Sequence, residues 1–168
     1  MSGSPEKGVE LVKTVPLFVA EGPDAPRPEM PFVERKAITA LVRDPKTGKD
    51  LGLRWKKIDW ETFVTGGIEE GQTPEEAARV EIREETGYKN LRLVAELSPF
   101  EAKFFHGPKG ENRHAHFRSF LFELVDDERD EPSAEEQQKH ESVWLGTDDL
   151  RQFRLPPGHR FVLDGAPR

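Results

Sequence analysis

Gly66-Gly67-Ile68-Glu69-Glu70-Gly71-Gln72-Thr73-Pro74-Glu75-Glu76-Ala77-Ala78-Arg79-Val80-Glu81-Ile82-Arg83-Glu84-Glu85-Thr86-Gly87-Tyr88 is the stretch on which both the fold and the chemistry turn. Thr73 can cap a helix, Pro74 suits its first turn, and Glu76 stands three residues after the cap, so a helix is predicted from Pro74. Gly87 should stop it. At ~100° per residue, Glu81, Glu84 and Glu85 share one face, because positions three and four apart are neighbours. Ala77 falls on that face too. Ala78 and Ile82 flank it on one side and Val80 on the other, while Arg79, Arg83 and Glu76 point away.

That distribution is unusual for a surface helix, which should set its carboxylates opposite its apolar residues. Three neighbouring like charges on a partly buried face repel, and a hard divalent cation would remove the conflict. Carboxylate oxygens are the donors that Mg²⁺ and Mn²⁺ prefer. A solvated acidic stripe paired with Arg79 and Arg83 is the competing reading. The preceding segment weighs against it. Gly66, Gly67 and Gly71 bound an acidic loop leading into a capped helix, a construction that brings backbone close to a ligand.

Outward from the helix, the residues read mostly as strands. Ala37–Val42 and Leu51–Trp55 flank an Asp44-Pro45-Lys46-Thr47-Gly48 turn and predict a hairpin. A short strand should cover Trp60–Val64. After the helix, strands are expected at Leu91–Glu101 and Ala115–Leu124, with Gly107–Gly110 between them. Short helices are expected at Ala134–His140 and Asp148–Phe153, with a strand at Val143–Leu145. Before the hairpin, Leu11–Ala20 could supply an edge strand, since Pro16 excludes a central position. The proline-rich run 21–31 cannot be an α-helix. The division expected is an extension and linker over 1–34, a folded domain over 35–155 and a tail over 156–168. One dominant helix among many strands implies an α/β fold with helices on the faces of a mixed sheet.

The 168 residues suit one domain. A net charge of −7 and no evident basic patch argue against a protein built to hold a nucleic-acid backbone. An acidic chain can still take an anionic substrate when divalent cations bridge the two. Without cysteine there are no disulfides or thiolate metal sites. No run approaches a membrane span, and the N-terminus lacks a signal-peptide core, so the expected location is the cytoplasm.

Residues 66–88 resemble the Nudix box: Gly, five residues, Glu, seven residues, then Arg-Glu-apolar-any-Glu-Glu-any-Gly-apolar. With Gly66 first, the spacing holds throughout, and Glu81, Ile82, Glu84, Glu85, Gly87 and Tyr88 match. Gln72 replaces the first Glu of the pattern and Val80 its Arg. Losing both leaves neither charge stranded, although Gln is the poorer metal ligand. A weaker resemblance, around Phe32–Lys36 and Gly66–Gly71, is to Nudix modules associated with some bacterial leucyl-tRNA synthetases.

The resemblance implies an α/β/α sandwich over roughly residues 35–153 and a Mg²⁺- or Mn²⁺-dependent hydrolase of a diphosphate linkage in a nucleoside diphosphate derivative. Glu81, Glu85 and Glu84 are its implied metal carboxylates, with the Gly66 carbonyl a further ligand and Glu84 or Glu81 catalytic. Glu101, Glu136 and Glu141 are candidates for a base outside the box. Arg54, Lys56 and Trp55 are candidates for substrate contact; a solvated hairpin end competes for the two cations. Trp60, Phe104 and Phe105 are candidate stacking partners for a base, with core packing the competing reading. His114 and His116 share a strand face but lack further ligands in the sequence. The implied partner is a small nucleotide-type molecule, and family members often form homodimers. Gln72 and Val80 keep a second reading open: a catalytically weak nucleotide-binding or regulatory module, linked in one version to a tRNA synthetase.

Overall fold

The structure is a computed structural model that describes residues 14–168. Its spine is β2 (Phe32–Arg43), buried from Ala37 to Arg43. Such a run reads as continuously apolar because both sheet faces are covered. β2 pairs in parallel with β7 (Glu111–Leu124) from Phe32 opposite Asn112 to Arg43 opposite Glu123. β7 returns antiparallel from β6 (Leu91–His106), with register shifts at Leu93/Ala95 and Leu97/Phe100. Both strands run past the expected ends, because a tight turn at Gly107–Lys109, closed by Gly110 at φ 62°, lets pairing continue to its mouth. On the outer edge of β6 lies β1 (Leu17–Val19), a parallel edge strand. It is the described part of the strand expected at Leu11–Ala20, of which residues 11–13 lie outside the described residues. The proline-rich run that follows is not α-helical; it holds a single 3₁₀ turn at Gly22–Asp24.

The expected hairpin exists but opens at once. β2 and β3 (Asp50–Trp55) pair only at Arg43 and Asp50. Beyond that point β2 takes β5 (Val64–Gly67) as its antiparallel neighbour, while β3 takes β4 (Glu61–Thr62) and β8 (His140–Leu145). The strand expected at Trp60–Val64 is thus two short ones that serve different partners. At the hairpin apex, buried Arg43 donates to Asp50 at 2.8 Å and to the Pro167 carbonyl at 2.6 Å, tying the chain end to the sheet.

Alternation along the strands separates two apolar layers. Ile38, Ala40, Val42, Phe120 and Phe122 face α1 (Pro74–Thr86) and pack on Ala77, Ala78 and Ile82. Leu41, Phe63 and Leu121 face the other way, against Leu150 of α3 (Thr147–Gln152) and Val162 and Leu163 of α4 (Pro157–Gly165). A short α2 (Ala134–Lys139) precedes β8. The fold is therefore a mixed α/β sandwich, as expected. The segment from Pro156, expected to be a tail, is docked. Each fully buried Val or Leu is worth roughly 1.5–3 kcal/mol, and a Cβ on Gly158 would meet the Phe100 ring at 2.2 Å. Buried His159 completes the seam: its Nδ1 accepts from the Phe63 amide at 3.2 Å, and burial lowers its pKa to about 4.

Candidate metal and active site

α1 begins and ends where its capping residues dictate. Thr73 Oγ1 accepts from the Glu76 amide at 3.1 Å, and Glu76 Oε1 accepts from the Thr73 amide at 2.8 Å. Gly87 closes the helix at φ 87° and its amide donates to the Arg83 carbonyl at 2.9 Å. Gly87 is also held by crowding: a Cβ there would sit 1.9 Å from the Asp130 carbonyl oxygen. The loop after β7 is thereby pressed against the helix end, where Arg83 and Lys89 both pair with Asp130.

The carboxylates sit as the helical spacing predicts, to unequal depths. Glu85 is buried, Glu81 half-buried and Glu84 exposed. Burial, reinforced by Glu84, pushes the Glu81 carboxyl up to about 7. Burial and the neighbouring Glu81 push Glu85 well above the usual carboxylate range. Gly66 explains how Glu81 can reach inward, since a Cβ on Gly66 would lie 2.3 Å from Glu81 Cδ.

Helical spacing leaves two points for the structure to settle. Val80, expected to flank the carboxylate face, is 41% exposed. Arg79 is not turned to water but folds back over the sheet. It donates to the Leu91 carbonyl at 3.0 Å and lies over the Phe122 ring. The reason is that the sheet covers a wider arc of α1 than the carboxylate face alone suggests. Gln72 closes the loop before the helix, with Oε1 accepting from the Glu69 amide at 2.9 Å.

From across the cleft, Glu136 of α2 and His140 at the start of β8 meet Glu85, with one donor atom from each of the three lying within 4.8 Å of the others. His140 Nε2 is 3.2 Å from Glu136 Oε1. Burial lowers the His140 pKa and so favours the neutral imidazole, whose Nε2–H tautomer would donate to Glu136. Among the three outside carboxylates read from the sequence, Glu136 reaches this cluster. Glu141 lines the cleft, and Glu101 lies on β6 against His114. His140 was not singled out in the sequence; its i, i+4 spacing from Glu136 is the one local signal that could have marked it.

The cleft holds about 510 Å³ and is lined by Lys56, Glu85, Arg129–Pro132, Glu136, Gln137 and His140–Ser142. Lys56 reaches it, its Nζ donating to the Gln137 carbonyl at 2.7 Å. Arg54 is diverted to Glu61 at 3.3 Å. Trp55 is part-buried, donates to Thr62 Oγ1 at 2.9 Å and packs edge-on against His140. Trp60 packs on Trp55, and Phe105 lies under Arg27. Phe104 packs near His106.

The donor set fits a hard divalent cation. Glu85 Oε1 is buried without a hydrogen-bond partner, a costly state that a cation would relieve. Beyond burial, the charges of Glu81 and Glu136 both raise the Glu85 pKa, and Glu136 offers an oxygen within 4.8 Å of a Glu85 ligand atom.

Comparison with known proteins agrees with this architecture. The NUDIX domain family model matches residues 33–164. No curated protein sequence matches the chain significantly. Among solved structures, the MutT NUDIX hydrolase of Burkholderia pseudomallei superposes with a TM-score of 0.58 at 21% identity, covering 80% of this chain and 99% of that one. The NUDIX domain of Shewanella oneidensis NrtR, solved with ADP ribose, gives 0.61 at 12% identity over 83% and 90%. The E. coli dihydroneopterin triphosphate pyrophosphohydrolase gives 0.57 at 18% over 79% and 99%. At these identities the likeness concerns the fold, whereas the family match spans most of the chain and includes the box on α1. The chain belongs to the NUDIX domain family, the family of Nudix pyrophosphohydrolases.

Proposed function

We propose that this chain is a divalent-metal-dependent hydrolase that cleaves a diphosphate linkage in a nucleoside diphosphate derivative. The observation that carries the reading is the orphaned Glu85 Oε1, buried beside Glu81 and facing Glu136. Glu81, Glu84 and Glu85 would hold Mg²⁺ or Mn²⁺, with the Gly66 carbonyl as a further donor. When bound, the cation would neutralise diphosphate oxygens and lower the pKa of water. Glu136 is the preferred base, because His140 fixes its carboxylate at the cleft wall. Lys56, which lines the same cleft beside Gln137, would meet a phosphate oxygen. A nucleotide-type substrate is further supported by the ADP ribose bound to the NrtR domain.

A binding module with little turnover is the second reading, favoured by Gln72 and Val80. One experiment separates them: release of nucleoside monophosphate, read by chromatography or as phosphate after added alkaline phosphatase, from a panel of nucleoside diphosphate derivatives with Mg²⁺ or Mn²⁺, for the wild type and for Glu84→Gln/Glu85→Gln. The hydrolase reading expects turnover that the double variant loses. Turnover surviving the double change would refute the assigned site. Metal-dependent ligand binding without turnover on any substrate would establish the module.

A further inference from the structure

A second cluster of metal-type donors lies away from the cleft, on strands the Nudix box does not use. Register places Glu34 of β2 directly beside His114 of β7, and Glu101 of β6 directly beside His116. His114 and His116 are two apart on one strand and share a face. Glu34 Oε2 is 3.0 Å from His114 Nδ1, and Glu101 Oε1 is 2.7 Å from His114 Nε2. Glu34 Oε1 is 2.8 Å from His116 Nε2, and the two rings lie 4.3 Å apart. The groove of Glu34, Glu101 and His116 shares no lining residue with the cleft of Glu85 and Glu136, and part of its wall is the loop Gly67–Gln72 that leads into α1.

The donor count at His114 is the decisive feature. A neutral imidazole carries one N–H, yet both ring nitrogens of His114 face carboxylate oxygens at hydrogen-bond distance. One nitrogen lone pair would then oppose a carboxylate. Either a second proton or a metal cation resolves this. A second proton places an imidazolium against another imidazole that also faces both glutamates. A single divalent cation uses the lone pairs instead.

We propose that Glu34, His114 and His116 form a binding site for a divalent transition cation of zinc type, separate from the carboxylate site on α1, with Glu101 as its outer partner. One ligand atom from each of the three lies within 4.8 Å of the others. Glu34 faces His114 Nδ1 and His116 Nε2, so an ion there takes two imidazole nitrogens and a carboxylate, a three-ligand set that Zn²⁺ completes with water. The other nitrogen of His114 keeps its proton and donates to Glu101 at 2.7 Å, the carboxylate–histidine arrangement that orients a metal-binding imidazole. Metal–ligand bonds of about 2.0–2.1 Å imply donor separations of about 3.3 Å. The Glu34 contacts of 3.0 and 2.8 Å need open by only a few tenths of an ångström. The bound ion would clip β2 to β7, and Glu101 would tie in β6 from the other side of β7.

The test is zinc titration of the full, chelator-stripped chain at about pH 7.5, with millimolar Mg²⁺ present. Wild type is compared with His114→Gln/His116→Gln, Glu34→Gln and Glu85→Gln, each checked for its fold by circular dichroism. The expected result is the loss of one zinc equivalent in the histidine double variant and its retention in Glu85→Gln. Glu34→Gln, which leaves both histidines in the sequence, should weaken that equivalent at least about tenfold. Co²⁺ should give the strong visible absorption of a tetrahedral site in wild type and lose it in the double variant. Equal zinc stoichiometry and affinity in wild type and the histidine variant would overturn the proposal. So would a wild type whose zinc uptake vanishes in Glu85→Gln, or one that takes up no zinc and shows only a protonated histidine pair.

Discussion

Gly66→Ala isolates one contact at the centre of the site. The new Cβ would stand 2.3 Å from Glu81 Cδ, 2.5 Å from Cγ and 2.7 Å from Oε1. Ordinary contact between such atoms begins near about 3.4 Å, so the carboxyl must move by about 1 Å or more. The atoms that must yield belong to a side chain, and the backbone at Gly66 does not have the positive φ that would strain an alanine. Stability should therefore change by less than about 1 kcal/mol, whereas a misplacement of about 1 Å at a reacting centre lowers the rate about 100-fold. The assay is Mg²⁺-dependent kcat/KM on the best substrate of the panel, with thermal melts beside it. Glu81→Ala supplies the control, because without the carboxyl Gly66→Ala has nothing to displace, and the two losses should not add. An alanine variant within threefold of wild type, or full additivity with Glu81→Ala, would refute the claim that Gly66 exists to seat Glu81.

Other consequences can be measured independently. Burial raises the Glu81 pKa to about 7 and also raises that of Glu85, favouring their protonated forms in the folded, metal-free chain. That stability is complete below the unfolded carboxyl value of about 4.3 and is lost as pH rises through about 7. In chelator, the contribution of this pair to Tm should fall between about pH 5 and pH 7.5. Mg²⁺ should restore it at the upper end, and Glu85→Gln should flatten the slope; identical slopes in wild type and Glu85→Gln would contradict the assignment. Thr73→Ala removes the capping box and should cost about 1 kcal/mol in denaturant unfolding, with no change if the cap is idle. Leu163→Ala should cost about 2–5 kcal/mol, because α4 is part of the second apolar layer. A loss below about 0.5 kcal/mol would show the C-terminal segment to be a true tail.

Local chemistry made α1 and its carboxylates legible. The cap at Thr73, the stop at Gly87 and the spacing of Glu81, Glu84 and Glu85 are properties of neighbours in the chain, and the structure reproduces the helix from Pro74 to Thr86. Helical spacing gives direction but not depth. That Glu85 is buried while Glu84 and Val80 are exposed depends on where the sheet and the loop at Asp130 lie. The segment from Pro156 reads as a tail for a related reason: Val162 and Leu163 are unremarkable in sequence until the outer face of the sheet offers Phe63 and Leu121.

The sequence by itself determined the family, the sandwich and the helix that carries the carboxylates, since each rests on short-range spacing and hydrophobic alternation. Only the tertiary structure decided which distant groups complete the donor sets. Glu136 and His140 face Glu85 because β3 leaves β2 after one pair and takes β8 as its neighbour. Glu34 and Glu101 reach His114 and His116 because strand register joins residues up to 82 positions apart. A carboxylate becomes a ligand or a base through the atoms that surround it, and that surrounding comes from pairing between strands remote in the chain.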